Sequence, residues 1–181
     1  MCIRDRNTLL SQLDTLFADF GIDALKTGML LNERIINDTA SKLNAYKKLL
    51  LPIADLVTPN IYEANLLSGL EIKSEEDIEN IARNIIGLGA KAVLIKGGGL
   101  TDMKGKDFFL DINGKKDWLF NNFINTENTH GSGCTLSAAI CGYKTLGFDL
   151  IDSIKKAKLF VEKSLENSYK IGSGPGPLGH Y

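Results

Sequence analysis

The chain has 181 residues, a length that suits one domain and leaves little room for two. Hydrophobic residues make up 44% of it and charged residues 24%, with a net charge of −1, which argues against disorder and against the basic face of a nucleic-acid binder. No apolar run approaches the roughly 20 residues that cross a bilayer, and residues 1–6 lack the apolar stretch of a secretory signal. We therefore expect a cytoplasmic protein with no membrane and no nucleic-acid partner.

The N-terminal part is predicted to alternate helices with strands. Apolar residues at helical spacing predict helices over 9–20 and 32–50. Residues 22–29, between them, are predicted to form a short strand. A strand over 54–58 then ends at a proline, and a short helix covers 61–67.

The middle of the chain carries strong local signals. Ser74 opens a long helix whose first turn is acidic, as the helix dipole favours. The apolar run 91–96, stopped by three glycines, is typical of a strand buried on both faces. Residues 107–112 and 118–124, joined through Asn113-Gly114, predict a hairpin.

Two helices over 131–146 and 150–171 and a loop over 172–177 complete the predicted elements. Their alternation with strands predicts an α/β fold with a doubly wound, mainly parallel sheet and helices on both faces. Cysteine and histidine usage predicts neither a disulfide nor zinc, because Cys134 and Cys141 lie about 10 Å apart on one predicted helix. The two histidines likewise have no zinc spacing.

The most informative segment is the glycine turn at Gly131-Ser132-Gly133, after which a helix begins at Cys134. Free N–H groups at a helix start attract anions, and glycines let a phosphate approach the backbone. The same field favours the thiolate form of a cysteine in the first turn. Two interpretations stand on the residues alone: a phosphate site with a thiolate base, or a plain glycine turn with a small residue packed beneath the helix.

Residues 128–139, Asn-Thr-His-Gly-Ser-Gly-Cys-Thr-Leu-Ser-Ala-Ala, resemble the signature of hydroxymethylpyrimidine and phosphomethylpyrimidine kinases of thiamine biosynthesis, in the ribokinase superfamily. The resemblance implies a ribokinase-like fold over 7–181 as one partial domain, with 1–6 as a leader outside the family. It also implies that Cys134 is the catalytic base and that Gly131, Ser132 and Gly133 bind the transferred phosphate.

Further motifs fit the same family. Asn60 and Glu63 resemble an Asn-x-x-Glu motif of the family, which organises the ATP phosphates and, mainly through water, Mg²⁺. The same pair also fits a helix cap. Lys96 ends a buried strand, where it either neutralises phosphate charge or extends its ammonium into solvent. The resemblance adds Thr129 and Lys158 to the nucleotide site, and His130 receives no role.

Comparison with the family also predicts two missing pieces: an N-terminal strand with a substrate-binding glycine loop, and an Asp-Pro-Val strand between 40–46 and Leu51. Lost strands leave unpaired backbone groups and sheet edges, so we expect lower stability and poor pyrimidine binding by this chain alone.

The resemblance implies ATP- and Mg²⁺-dependent phosphorylation of 4-amino-5-hydroxymethyl-2-methylpyrimidine and its monophosphate. The alternatives are a pyridoxal kinase-like activity and an inactive truncated remnant that retains only a nucleotide site. The implied partners are the pyrimidine alcohol and ATP, and a homodimer would match the common state of the family.

Overall fold

The computed structural model describes residues 51–99 and 103–180. In chain order the helices and strands are α1 (Ile61–Ser68), α2 (Glu75–Gly87), β1 (Ala92–Lys96), β2 (Lys106–Asp111), β3 (Lys116–Phe120), α3 (Ser132–Thr145) and α4 (Leu150–Glu166). Short 3-10 turns lie at Leu51–Ile53 and Gly97–Gly99. The leader and the elements predicted over 9–20, 22–29 and 32–50 lie outside the described residues. Within the described ranges, none of the helices has the length and apolar character needed to span a membrane.

Strand β1 lies between two different kinds of neighbour. It pairs antiparallel with β2, which pairs antiparallel with β3. On its other side, residues 57–60 run parallel to it through bridges from Val57 to Val93 and from Asn60 to Lys96. The strand predicted over 54–58 is thus reduced to single bridges, and Pro59, which has no N–H, contributes only its carbonyl to Lys96 at 2.9 Å.

The predicted fold class is confirmed, and the three named strands of the described residues form an antiparallel part of the sheet, beside the parallel bridges from residues 57–60. The connection from β1 to β2 explains the antiparallel pairing, because residues 97–105 are fewer than the dozen or more that a parallel crossover needs. The predicted hairpin is confirmed with a shorter second strand, and Gly114 supplies the positive φ of 82° in its turn.

Local capping sets several helix ends. The start predicted at Ser74 is confirmed, since its side chain and that of Asp77 form a reciprocal capping box. Helix α4 ends at Glu166, earlier than the predicted 171. There the chain reverses, and the N–H of Gly179 donates to the carbonyl of Ser164 at 2.9 Å. Residues 172–180, which we call the closing segment, thus return to the end of α4.

The core has one layer on each face of the sheet, as the alternation of strand side chains requires. Val93, Ile95, Phe108 and Leu110 face α1 and α2. The alternate positions face α3 and α4, and they are Ala92, Leu94, Phe109 and Leu119. Strand β1 is buried on both faces, as predicted, and Lys96, two residues after Leu94, lies on the face that α3 and α4 cover.

Candidate active site

The first turn of α3 presents unpaired backbone N–H groups. Gly131 precedes the helix with a φ of 88°, in the left-handed region that favours glycine, and it provides no side-chain cap. The amides of Gly133 and Cys134 have no hydrogen-bond acceptor within the parts of the chain that the structure describes. Together with the helix dipole, these free donors make the turn suitable for an anion.

Lys96 brings a positive charge to the same turn. A Cβ built on Gly133 would lie 3.1 Å from Lys96 Nζ, so the ammonium rests directly against the glycine. Lys96 is half-buried at the end of β1. Two motifs far apart in sequence therefore meet, and the glycine leaves room for both the lysine head and a ligand.

Asn60 and Glu63 lie in the first turn of α1, beside the end of β1. Asn60 Oδ1 accepts from the Glu63 N–H at 2.8 Å, and Glu63 Oε2 accepts from the Asn60 N–H at 2.8 Å. The capping interpretation is confirmed. The bond from the Asn60 N–H uses Oε2 of Glu63, so Oε1 takes no part in the cap. One exposed carboxylate fits Mg²⁺ held largely by water and phosphate oxygens, because this ion keeps several waters in kinase sites. No cluster of three acidic, histidine or cysteine side chains able to hold a metal occurs among the described residues.

Lys158 is buried inside the protein. Its ammonium forms an ion pair with Asp107 of β2 and lies 3.5 Å from the carbonyl of Gly105. The other Asp107 oxygen, Oδ1, accepts from the N–H of Gly97 at 3.1 Å, directly after Lys96. Sequence reasoning missed Asp107, although a carboxylate inside the apolar run Asp-Phe-Phe-Leu was a signal for a buried partner.

Cys134 is exposed and free of disulfides, as is the less exposed Cys141. Cys134 borders a shallow, open cavity of about 410 Å³. The cavity is lined by Cys134, Thr135, Ala138, Ala139, Phe160 and His180. The thiol is therefore accessible to a small molecule.

The closing segment holds the loop that precedes α3. The N–H of Gly176 donates to Asn128 Oδ1 at 3.0 Å, and the N–H of His130 donates to the Gly176 carbonyl at 3.2 Å. Thr129 lies in this loop, with its carbonyl accepting from Ser132 at 3.2 Å. The anchoring role of Asn128 was not predicted, because nothing local in the sequence links it to residue 176.

His180 attaches the closing segment to the cavity. Its Nε2 lies 3.1 Å from Thr135 Oγ1, and its ring stacks on Phe160 with centroids 5.9 Å apart. Sequence reasoning considered this histidine only for zinc spacing and did not predict its contact with Thr135.

Comparison with solved structures identifies the class of protein. Bacillus subtilis pyridoxal kinase, solved as an ADP complex, matches with a TM-score of 0.86 and 33% identity, over 98% of this chain and 76% of that one. The chain is a ribokinase-like α/β kinase, and the predicted fold class is confirmed.

The family follows from sequence comparison. The family model for phosphomethylpyrimidine kinase matches residues 38–179. A hydroxymethylpyrimidine/phosphomethylpyrimidine kinase of Synechococcus elongatus is 39% identical over 200 residues, covering 94% of this chain and 75% of that protein. A thiamine biosynthesis bifunctional protein of Geobacter sulfurreducens is 34% identical over 201 residues, covering 93% of this chain but only 40% of its own length. This chain belongs to the phosphomethylpyrimidine kinase family.

The alignment to the Synechococcus protein is longer than this chain itself, at 200 positions against 181 residues. The relative therefore has residues inside the aligned region for which this chain has no counterpart. That agrees with the expectation of a missing internal segment.

Proposed function

We propose that this chain uses ATP to phosphorylate 4-amino-5-hydroxymethyl-2-methylpyrimidine and then its monophosphate, in thiamine biosynthesis. One observation carries the proposal: the Lys96 ammonium lies against Gly133 at the open N-terminus of α3, where Cys134 presents an exposed thiol. A cation, free amides and an accessible thiol at one point are what phosphoryl transfer requires.

In the first reaction, the thiolate of Cys134 takes the proton of the acceptor hydroxyl while that oxygen attacks the γ-phosphorus of ATP. The bond from the γ-phosphorus to its bridging oxygen breaks, and ADP leaves with the electron pair. The N–H groups of Gly133 and Cys134 and the ammonium of Lys96 stabilise the charge on the transferred group. Because their donors are already oriented by α3 and β1, little reorganisation accompanies the reaction.

Mg²⁺ is part of the proposal, with Glu63 holding it through water beside Asn60. When bound, the ion neutralises charge on the β- and γ-phosphates. The capping bonds between Asn60 and Glu63 orient both side chains at the start of α1, so the same pair can serve the helix and the ion. Thr129, in the loop before α3, completes the proposed nucleotide site.

The two acceptors differ in a way that tests the base. The hydroxymethyl group must lose a proton, whereas the phosphate of the monophosphate, with a second pKa of about 6, is already largely ionised near neutral pH. Cys134→Ala should therefore slow phosphorylation of the alcohol by about 10²- to 10⁴-fold, the usual contribution of a general base. Phosphorylation of the monophosphate should fall much less.

A coupled assay of ADP release with each acceptor measures this difference. Cys141→Ala is the matched control, because this second thiol lies further along the same helix. Equal losses of both reactions in Cys134→Ala would contradict the base role. ATP binding without turnover of either acceptor by the wild-type chain would favour a remnant that retains only a nucleotide site.

A second candidate is pyridoxal phosphorylation. It is favoured by the TM-score of 0.86 to a pyridoxal kinase, and by the shared chemistry of a hydroxymethyl group on a flat nitrogen heterocycle. The ratio of kcat/KM for the pyrimidine alcohol to that for pyridoxal decides between them. A ratio below one would replace the first proposal with the second.

A further inference from the structure

A buried carboxylate lies inside β2, directly beside the end of β1. Asp107 is opposite Lys96 in the strand register and is only 8% exposed. Its Oδ1 accepts from the N–H of Gly97 at 3.1 Å, and its Oδ2 pairs with the ammonium of Lys158. The carboxylate thus joins the turn after β1 to helix α4.

Gly97 is held tightly at this point. A Cβ on Gly97 would lie 2.3 Å from the carbonyl oxygen of Lys106 and 3.0 Å from that of Met103, so only glycine fits without a backbone shift. The hydrogen bond to Asp107 fixes the direction of the Gly97 peptide. Since Gly97 follows Lys96 directly, that peptide sets where the strand ends and where the Lys96 side chain starts.

Stability of the fold is by itself a weak explanation for the buried ion pair between Lys158 and Asp107. The side chains of Lys158 and Asp107 are 7% and 11% exposed, and moving both charges out of water costs several kcal/mol per ion. Apolar residues of similar volume often serve a core equally well or better. A directed hydrogen bond to one backbone N–H is what an apolar pair cannot supply.

We propose that Asp107, oriented by Lys158, is a positioning residue for phosphate binding. It holds the Gly97 N–H and so keeps the Lys96 ammonium against the first turn of α3. The inference rests on the proposed function, in which Lys96 contacts the ATP phosphates. It also gives Lys158 a role within the protein, through Asp107, instead of the direct place in the nucleotide site that the resemblance implies.

Two double variants isolate the hydrogen bond to Gly97. Both variants carry Lys158→Met, and they differ in whether Asp107 is replaced by asparagine or by valine. Both lack the buried charges, but only the asparagine variant keeps a side-chain oxygen for the Gly97 N–H. The bond can favour the binding position of Lys96 by no more than its net free energy, about 1 kcal/mol, so the valine variant should bind the ATP analogue AMP-PCP more weakly than the asparagine variant, by up to about fivefold. Adenosine, which lacks phosphates, should bind the two variants equally.

Calorimetric titration of AMP-PCP and chemical-shift titration of adenosine, below the unfolding temperature of each variant, give these affinities. Equal AMP-PCP affinities, or an equal loss for adenosine, would overturn the positioning role. If the valine variant does not fold, amide exchange in the wild-type protein decides. If the hydrogen bond at Gly97 favours phosphate binding, phosphate binding must equally favour the hydrogen bond. AMP-PCP should therefore slow hydrogen exchange of the Gly97 N–H and adenosine should not, and an exchange rate unchanged by AMP-PCP would overturn the inference.

Failure of the proposed function looks different. A wild-type chain that does not bind AMP-PCP refutes the nucleotide site itself, and the inference falls with it. A wild-type chain that binds AMP-PCP, with indistinguishable double variants, refutes only the role of Asp107.

Discussion

Replacing Lys96 with methionine tests the centre of the proposed site. The substitution keeps a long, flexible side chain at the end of β1 but removes the charge that lies against Gly133. The backbone bond from the Lys96 N–H to the Pro59 carbonyl, at 2.9 Å, does not involve the side chain. The fold should therefore persist while the anion site loses its cation.

The expected loss follows from the surroundings of the ammonium. Two unit charges about 4 Å apart interact by about 4 kcal/mol at an effective dielectric constant of about 20. Lys96 is only half-buried and water competes for it, so the net contribution should be nearer that of a charge-assisted hydrogen bond, which is about 2 kcal/mol. The affinity for ATP should fall by about 30-fold, within a range of about 10- to 150-fold.

Lys91→Met is the matched control, at the residue directly before the opposite end of β1. Lys91 forms an exposed ion pair with Asp55 at 2.8 Å, and such pairs contribute at most about 1 kcal/mol to folding. Because this contribution acts on folding and Lys91 lies away from Gly133, its removal should leave ATP affinity within about twofold, which corresponds to about 0.4 kcal/mol. Titration with AMP-PCP and the KM for ATP measure both variants, and equal affinities in the two would refute a phosphate contact by Lys96.

Three further predictions concern the glycine turn, the helix cap and acid stability. Gly133→Ala should raise the unfolding temperature, because alanine favours a helix over glycine by up to about 1 kcal/mol. It should also lower kcat/KM for ATP, because the added methyl group would lie 3.1 Å from Lys96 Nζ. Glu63→Gln should keep the unfolding temperature, since glutamine also caps, while raising the Mg²⁺ concentration that supports half-maximal turnover. The hydrogen bond from Lys116, followed by that from Arg83, holds the pKa of Glu79 below its ordinary 4.5. Its stabilising effect is therefore full above pH 4.5 and lost as the pH falls through the lowered pKa, so Glu79→Gln should destabilise the fold at pH 7, and the difference from wild type should shrink steadily as the pH falls below 4.5.

Each of these variants has a control. Gly142→Ala, in the same helix with nothing within 4 Å of its added methyl, should stabilise without affecting turnover. Glu63→Ala should lose the side-chain bond to the Asn60 N–H, which is one half of the capping box, and lower the unfolding temperature, measured by circular dichroism. Glu127→Gln carries the same charge change as Glu79→Gln in an exposed loop, and an equal pH response of the two would contradict the ion-pair explanation. Full turnover at unchanged Mg²⁺ dependence in Glu63→Gln would rule out its metal role.

Local signals in the sequence predicted much of the described fold. The capping residues at Ser74 and Asn60 identified helix starts, because their side chains bond backbone groups only three residues away. Asn113-Gly114 identified the hairpin through the positive φ that glycine allows. The glycine turn before Cys134 likewise indicated an anion site from residues adjacent in the chain.

The errors lay where distant segments decide the structure. The end of α4 depends on the closing segment that returns to Ser164. The strand predicted over 54–58 forms only single bridges, because its contact with β1 depends on how residues 57–60 lie against that strand.

Residues close together in the chain thus predicted the helices of the described part, the hairpin and the separate motifs around Asn60, Lys96 and Cys134. Only the tertiary structure placed the Lys96 ammonium against Gly133 and the Lys158 ammonium on Asp107. Those contacts depend on the strand register and on how α3 and α4 pack on the sheet, and shifting a strand by one residue would turn each side chain to the other face. Periodicity and capping carry no information about that register, which is why the meeting of the motifs could not be derived from the residues alone.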